Sequence, residues 1–462
     1  MRKKRIIPRT VLLLVIAALG YGIYYCWVSF PIVSGFGAKN LCSCVFISGR
    51  AEEDVIKNEL GDFPTTLASY SVNRTDSTVT ATVWGMAKQK AIYRAGIGCI
   101  LLNDVDESTV RAQPFIIPPP PAIHTDTIAW PMGDKLPDTF AAGINKTALD
   151  AAVAKAFEEP FAGKKARSRA VVVLYNGQLV AEQYASGFDR HTKMLGWSMA
   201  KSYTAALIGI LAGQGKLNVD APAPINEWSD PGDPRNAITL KNLLQQESGL
   251  DFVEDYSKAS DATNMLFRRG NTAAYTAARP LQRPPGTHFR YSSGNCNLLS
   301  YIVRQATGNA YTAFPATALF YKTGMYNTLI EPDASGTFVG SSYVWATARD
   351  YARFGLLYYN DGVFNNERIL PEGWVKQGSV ATAANEEKNY GYQLWLNGVR
   401  KGSPPQRIFP DVPADMYYAD GYGGQGIYII PSRKLVVVRL GLTLDHSFDE
   451  NGFLKNILAA VP

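Results

Sequence analysis

Five cysteines and four histidines in 462 residues are too few for a disulfide scaffold or a dense metal cage. Charge is modest as well. Charged residues make up 19% of the chain and hydrophobic residues 46%, a balance that excludes a disordered or collagen-like protein. The net charge is +6, but part of it is one local cluster, Arg2, Lys3, Lys4, Arg5 and Arg9. The remainder is near neutral, which speaks against a nucleic-acid footprint. There is no internal repeat, and no serine lies in a G-x-S-x-G elbow.

One absence is local. Thr10 to Val33 carries no charged side chain. A helix of about 20 apolar residues spans a bilayer core. The basic cluster just before it puts the N-terminus in the cytoplasm by the positive-inside rule. The rest of the chain is then expected outside the cytoplasm, as a single-pass protein of the cytoplasmic membrane. A cleaved signal peptide is the rival, but its apolar region is usually only about 7–15 residues and no clean cleavage site follows.

Four segments are expected. Residues 1–35 form the basic tip and anchor, and 36–117 a small region with strands. Residues 118–135 are a proline-rich linker opening on Pro118–Pro121, and 136–462 are the main domain. In the small region Val79, Ala81 and Val83 alternate with Thr78, Thr80 and Thr82, a strand pattern. Lys88 to Leu102 is expected to supply a second strand. Cys42 or Cys44 can pair with Cys99 in an oxidising compartment, or all three stay as buried thiols. Cys42-x-Cys44 has no metal-ligand company, so zinc is not expected. Asn145 to Phe157 reads as an amphipathic helix. Two apolar runs flank Asn176-Gly177, a hairpin signal. Ile427–Ile430 and Leu435–Leu440 flank a second turn, and a helix from Asp449 to Ala460 closes the chain. Hairpins at both ends of a domain with helices between them predict one antiparallel sheet covered by helices. Asn73 and Asn145 head glycosylation-type triplets, a weak signal.

Three motifs carry chemistry. Ser198 and Lys201 open a helical stretch, Ser198 to Gly213, and lie three apart on one helix face. A neutral lysine amine can take the serine proton and so activate the nucleophile. The helix N-terminus offers free N–H groups to a developing oxyanion. Tyr291-Ser-Ser293-Gly-Asn295 follows on a loop, where a tyrosine can relay a proton. Asp420-Gly-Tyr422-Gly-Gly424-Gln-Gly leads into the second hairpin, where glycines admit a substrate backbone to a strand edge. His191, His288 and His446 are scattered and suggest no triad.

In this order the motifs resemble the serine β-lactamase and penicillin-binding protein superfamily, with its S-x-x-K, Y-x-N-type and K-T-G-type elements. The likeness is nearest to the branch of 6-aminohexanoate-dimer hydrolase and class C-type esterases. It extends through SMAKSYTAALIGILAGQGKL, LLQQESGLDFVEDY, RPPGTHFRYSSGN and WATARDYARFGLLYY, from about residue 130 to the end. The resemblance implies an α+β fold, an α/β/α sandwich with a helical subdomain, and acyl transfer without metal or organic cofactor. It implies Ser198 as nucleophile, Lys201 as base and Tyr291 as proton shuttle. Ser293 stands where the family often has Asn. The Ser198 N–H is one oxyanion donor, and Tyr422 or Gly424 supplies the other.

Asp420 departs from the pattern, standing where relatives carry Lys or His. Without that cation a substrate carboxylate is poorly held, and an acidic group there should repel it. Small amides, esters or peptide-like molecules are therefore the expected substrates. A D-amino-acid-specific peptidase acting on cell-wall peptides, and a ligand sensor using the same fold, are the alternatives. The Glu254-Asp255-Tyr256 loop either borders the pocket or is a solvated acidic loop. Oligomeric state is left open.

Overall fold

The computed structural model describes residues 9–139, 142–160, 163–400, 402 and 404–462. The basic residues Arg2, Lys3, Lys4 and Arg5 lie outside the described residues. The chain begins with a 38-residue helix, α1 (Arg9–Phe46). It is long and apolar enough to cross a membrane. Val11 to Tyr25 are exposed along it, and the helix becomes buried from Phe30 onward. Pro31 marks this change; it cannot donate to the carbonyl one turn back. The boundary expected at residue 35 thus falls inside α1, because the helix keeps going where its apolar run ends.

Four strands follow: β1 (Ala68–Asn73), β2 (Thr78–Val83), β3 (Met86–Arg94) and β4 (Gly98–Leu101), antiparallel in that order. The segment expected as one strand is therefore two, β3 and β4. Val79 and Ala81 face Ala38, Leu41 and Val45 of α1 in one apolar cluster. A Cβ on Gly37 would come within 2.3 Å of the Tyr70 ring, so glycine lets helix and sheet approach. Cys42 and Cys99 form a disulfide, and Cys44 is a buried free thiol. Two helix positions apart means about 200° of rotation, so only one of Cys42 and Cys44 can face β4.

This region is not detached. Its cluster also holds Phe252, Met265, Phe267 and Trp345 from the main domain. The Pro-rich linker is docked too. Arg353, itself buried, donates to Pro131 O at 2.7 Å, Gly133 O at 2.7 Å and Asp134 Oδ1 at 2.8 Å.

The main domain is built on a six-stranded antiparallel sheet. Its order is an edge strand Trp395–Leu396, then β7 (Tyr417–Gly421), β8 (Gln425–Ile430), β9 (Leu435–Gly441), β5 (Ser168–Tyr175) and β6 (Gln178–Tyr184). Both expected hairpins are present and lie side by side, Leu435 opposite Tyr175. Strand alternation divides the apolar residues between two faces. Val172, Leu174, Ile427, Ile429, Val436 and Val438 face the large helical core. Val171, Val173, Tyr428, Ile430 and Val437 face Leu149 and Val153, with Leu454 and Ile457. Those last four lie on α2 (Lys146–Lys155) and on the C-terminal helix Glu450–Ala460. Asn145 caps α2 by accepting from the Ala148 N–H at 3.0 Å. The result is the expected helix–sheet–helix sandwich.

Candidate active site

Ser198 does not open the α-helix directly. Trp197–Met199 form a single 3-10 turn, and α3 (Ala200–Gly213) begins after it. Trp197 has φ +48°, a left-handed conformation that is costly for a bulky residue. Its ring is held by neighbours. It stacks on Phe36 of α1, with centroids 6.0 Å apart and planes within 5°. It also meets Tyr422 edge-on at 5.6 Å. The strained turn presents Ser198 at the head of α3.

Lys201 is almost fully buried one turn on. Its Nζ lies 3.1 Å from Ser198 Oγ, 3.0 Å from Ser293 Oγ and 2.9 Å from the Ser341 carbonyl oxygen. A neutral amine has two N–H groups and one lone pair. With the N–H groups spent on Ser341 O and Ser293 Oγ, the lone pair is left facing the Ser198 hydroxyl. Burial favours that state by lowering the Lys201 pKa, with Glu254 as the main opposing influence.

Ser293 is the first residue of α4 (Ser293–Thr307), capped by Ser292. Glu254 sits at this helix N-terminus, accepting from the Ser293 N–H at 2.8 Å and from its hydroxyl at 2.6 Å. A carboxylate is favoured there by the helix dipole. The Tyr256 hydroxyl donates to Glu254 at 2.8 Å and lies 3.0 Å from Ser293 Oγ. A continuous polar chain therefore runs Ser198, Lys201, Ser293, Glu254, Tyr256. The Glu254–Tyr256 loop borders the cluster, and Glu254 is the member that the motifs did not include. Its only sequence signal was an acidic-aromatic triplet after the Ser248-Gly249 turn.

Tyr291 joins from the loop before α4. Its ring stacks on Trp395 with centroids 5.3 Å apart, and Lys201 Nζ is 4.8 Å from its centroid. Its hydroxyl interacts with Ser198, while burial and then Glu254 push its pKa well above the usual phenol value. Asn295 is turned to the protein, accepting from Ser248 Oγ at 2.8 Å and donating to Gln246 at 2.8 Å.

The third motif arrives on β7. A Cβ on Gly421 would come within 2.2 Å of the Gly196 carbonyl oxygen, so the strand end lies against the turn that carries Ser198. Tyr422 follows at the rim. Gly424, with φ +75°, is in the turn between β7 and β8, and its carbonyl accepts from Arg439 at 2.8 Å. Burial of the Asp420 carboxyl, then the Glu450 carboxyl nearby, push its pKa well above the usual range, against the pull of Lys201. The repulsion expected from an ionised Asp420 is weakened accordingly. What remains is the lack of a cation at this position.

This shift has a stability consequence. Between the ordinary Asp value and the raised one, the folded protein keeps a proton that the unfolded chain has lost, so stability falls as pH rises. Asp420→Asn is expected to raise the melting temperature at pH 8 by roughly 2–4 °C and to change it little near pH 4. Thermal scans at the two pH values check this; an equal shift at both would contradict it.

No histidine shares the cluster among the described residues; His191 lies on an exposed turn beside Arg190. A groove of about 510 Å³ lies elsewhere, between Val380, Asn397, Asp415 and Pro431.

Fold and cluster can now be set beside known proteins. A model of the family described as Beta-lactamase matches residues 153–451. The 6-aminohexanoate-dimer hydrolase of Paenarthrobacter ureafaciens is 28% identical over 298 residues, covering 59% of this chain and 71% of that protein. Among solved structures, a family VIII carboxylesterase superposes with a TM-score of 0.51 at 15% identity, covering 70% of this chain and 98% of its own. A class C β-lactamase gives 0.51 at 15%, covering 70% and 99%. At that identity the structural likeness speaks for the fold alone. Together these findings define a serine hydrolase with the β-lactamase fold. The chain belongs to the β-lactamase family.

Proposed function

We propose that Ser198 is the acylated nucleophile of a membrane-anchored amidase or esterase acting on small or peptide-like substrates. The observation that carries this is the Lys201 amine, buried and aimed at Ser198 Oγ with its other two partners fixed. Ser198 Oγ attacks the acyl carbonyl as its proton passes to Lys201 Nζ. The Ser198 N–H is one oxyanion donor. The approach of Gly421 to Gly196 favours the N–H of Tyr422 over that of Gly424 as the second. Tyr291, kept protonated, gives its proton to the leaving nitrogen or oxygen. Water then attacks the Ser198 ester by the reverse relay, releasing the acid. Substrates that offer no carboxylate at the Asp420 position suit the site.

The same reading puts the domain outside the cytoplasm. The basic cluster precedes the apolar helix, and the Cys42–Cys99 disulfide fits an oxidising compartment.

Tyr291→Phe tests the proton-relay role. It is expected to slow single-turnover acylation by amides about 10²–10⁴-fold and acylation by p-nitrophenyl esters, read as the nitrophenolate burst, much less, because nitrophenolate leaves without a proton. Equal losses on both substrates would contradict the assignment.

A further inference from the structure

Outside α1, two large apolar side chains stand exposed at one end of the N-terminal sheet, and a third on the segment that leads into β1. Phe63 is 80% exposed, Trp84 64% and Met86 53%. Register explains their company. Ala68 pairs with Val83, and Val83 with Met86, so the segment entering β1 and the β2–β3 turn share that end. The same end touches α1 where the helix changes from exposed to buried. Trp84 meets Phe30 edge-on at 5.1 Å, and Ser34 Oγ donates to the Ala87 carbonyl at 2.6 Å. Leu67 packs on Phe30 and Val33 beside them. Exposed Lys88 stands two residues beyond Met86, where the register of the strand pair shifts.

Exposed apolar side chains grouped in this way mark a contact surface. Here the surface is continuous with the exposed apolar length of α1. Tryptophan with an adjacent cation is the composition found at the membrane–water interface.

The candidate active site stands at a short distance from that level. Phe36, which stacks on Trp197, is six residues beyond Phe30 on the same helix. At the α-helical rise this is roughly 9 Å along the axis. The residues just before Phe63 lead toward the site as well, since Glu59 and Asp62 act electrostatically on Tyr422. Tyr422 is itself half exposed against Trp197.

We propose that the Phe63–Trp84–Met86 end of the sheet is seated in the interfacial layer of the bilayer beside the span, and that it holds the Ser198 cluster close to headgroup level. The substrates it suits are amphiphiles with an apolar tail in the bilayer and the scissile ester or amide at its surface. This rests on the reading of α1 as a membrane span and of Ser198 as a nucleophile.

The test uses the full chain reconstituted in phosphatidylcholine vesicles. Flotation comes first: a chain that does not float with the vesicles overturns both the span and this seat. In floating samples, tryptophan emission is compared between the native chain and Trp84→Phe, with lipids brominated on their acyl chains or unbrominated. The Trp84 contribution is expected to be quenched by bromine; an unquenched contribution overturns the seat and leaves the span standing. For the substrate class, the Trp84→Ser/Met86→Ser chain is assayed on a long-chain p-nitrophenyl ester in the vesicles and on p-nitrophenyl acetate. We expect kcat/KM to fall about 10-fold on the first and to be unchanged on the second. Equal effects on both esters, or none on either, overturn the substrate class. No turnover of either ester by the native chain overturns it together with the hydrolase mechanism.

Discussion

Lys201→Ala is expected to lower kcat/KM for p-nitrophenyl esters by about 10³-fold or more, and Ser198→Ala to lower it at least as far. The reason is the shared proton. Lys201 Nζ lies 3.1 Å from Ser198 Oγ and is fixed from behind by Ser293 Oγ and the Ser341 carbonyl. Tyr291, also in contact with Ser198, is kept protonated by its raised pKa and so is a donor rather than a base. The two residues therefore act as one unit, and the double variant is expected to be no worse than Ser198→Ala alone. Initial rates of the three variants check this; additive losses would show that the residues act independently.

The second large effect is on stability and lies where the N-terminal helix meets the main domain. Lys39 of α1 and Glu331 form an ion pair with both side chains almost wholly buried. Ser43 Oγ donates to Glu331 at 2.8 Å, the Cys99 N–H at 2.6 Å and Trp345 Nε1 at 2.7 Å. Glu331 thus joins α1, β4 and the main domain at one carboxylate. Removing one partner of a buried pair leaves a charge without compensation, which costs about 3–5 kcal/mol. Lys39→Met is expected to destabilise the full chain by that order, measured by thermal unfolding in detergent micelles. Lys39→Met/Glu331→Gln should recover much of the loss, because the orphaned charge is gone. A single variant as stable as the native chain would mean that α1 is not held through Glu331.

This joint was the least legible part of the sequence. Thr10 to Val33 reads as a span because every side chain in it is uncharged, and that reading ends before Lys39. A lysine buried 292 residues from its partner gives no local signal. The main domain was far more legible. The strands around Asn176-Gly177 and Pro431–Lys434 are short-range patterns, and they pair much as expected. Ser198 and Lys201 were visible because helical spacing alone brings them together. Tyr291 and Ser293 needed the order of the three motifs. Glu254 reaches Ser293 from 39 residues away, and the sequence left open whether its loop borders the pocket or is a solvated acidic loop. The 3-10 turn that delays the start of α3 depends on the positive φ of Trp197, which its aromatic neighbours hold. Those neighbours come from distant segments, so local helix propensity could not show the delay.

The central claim is that acyl transfer passes through Ser198, and intact-mass measurement tests it most directly. The full chain in micelles is pulsed with a p-nitrophenyl ester, quenched in acid, weighed and digested. The account predicts one added acyl group, carried by the peptide that contains Ser198 and absent from Ser198→Ala. An adduct that persists in Ser198→Ala, or full ester turnover by that variant, would contradict it.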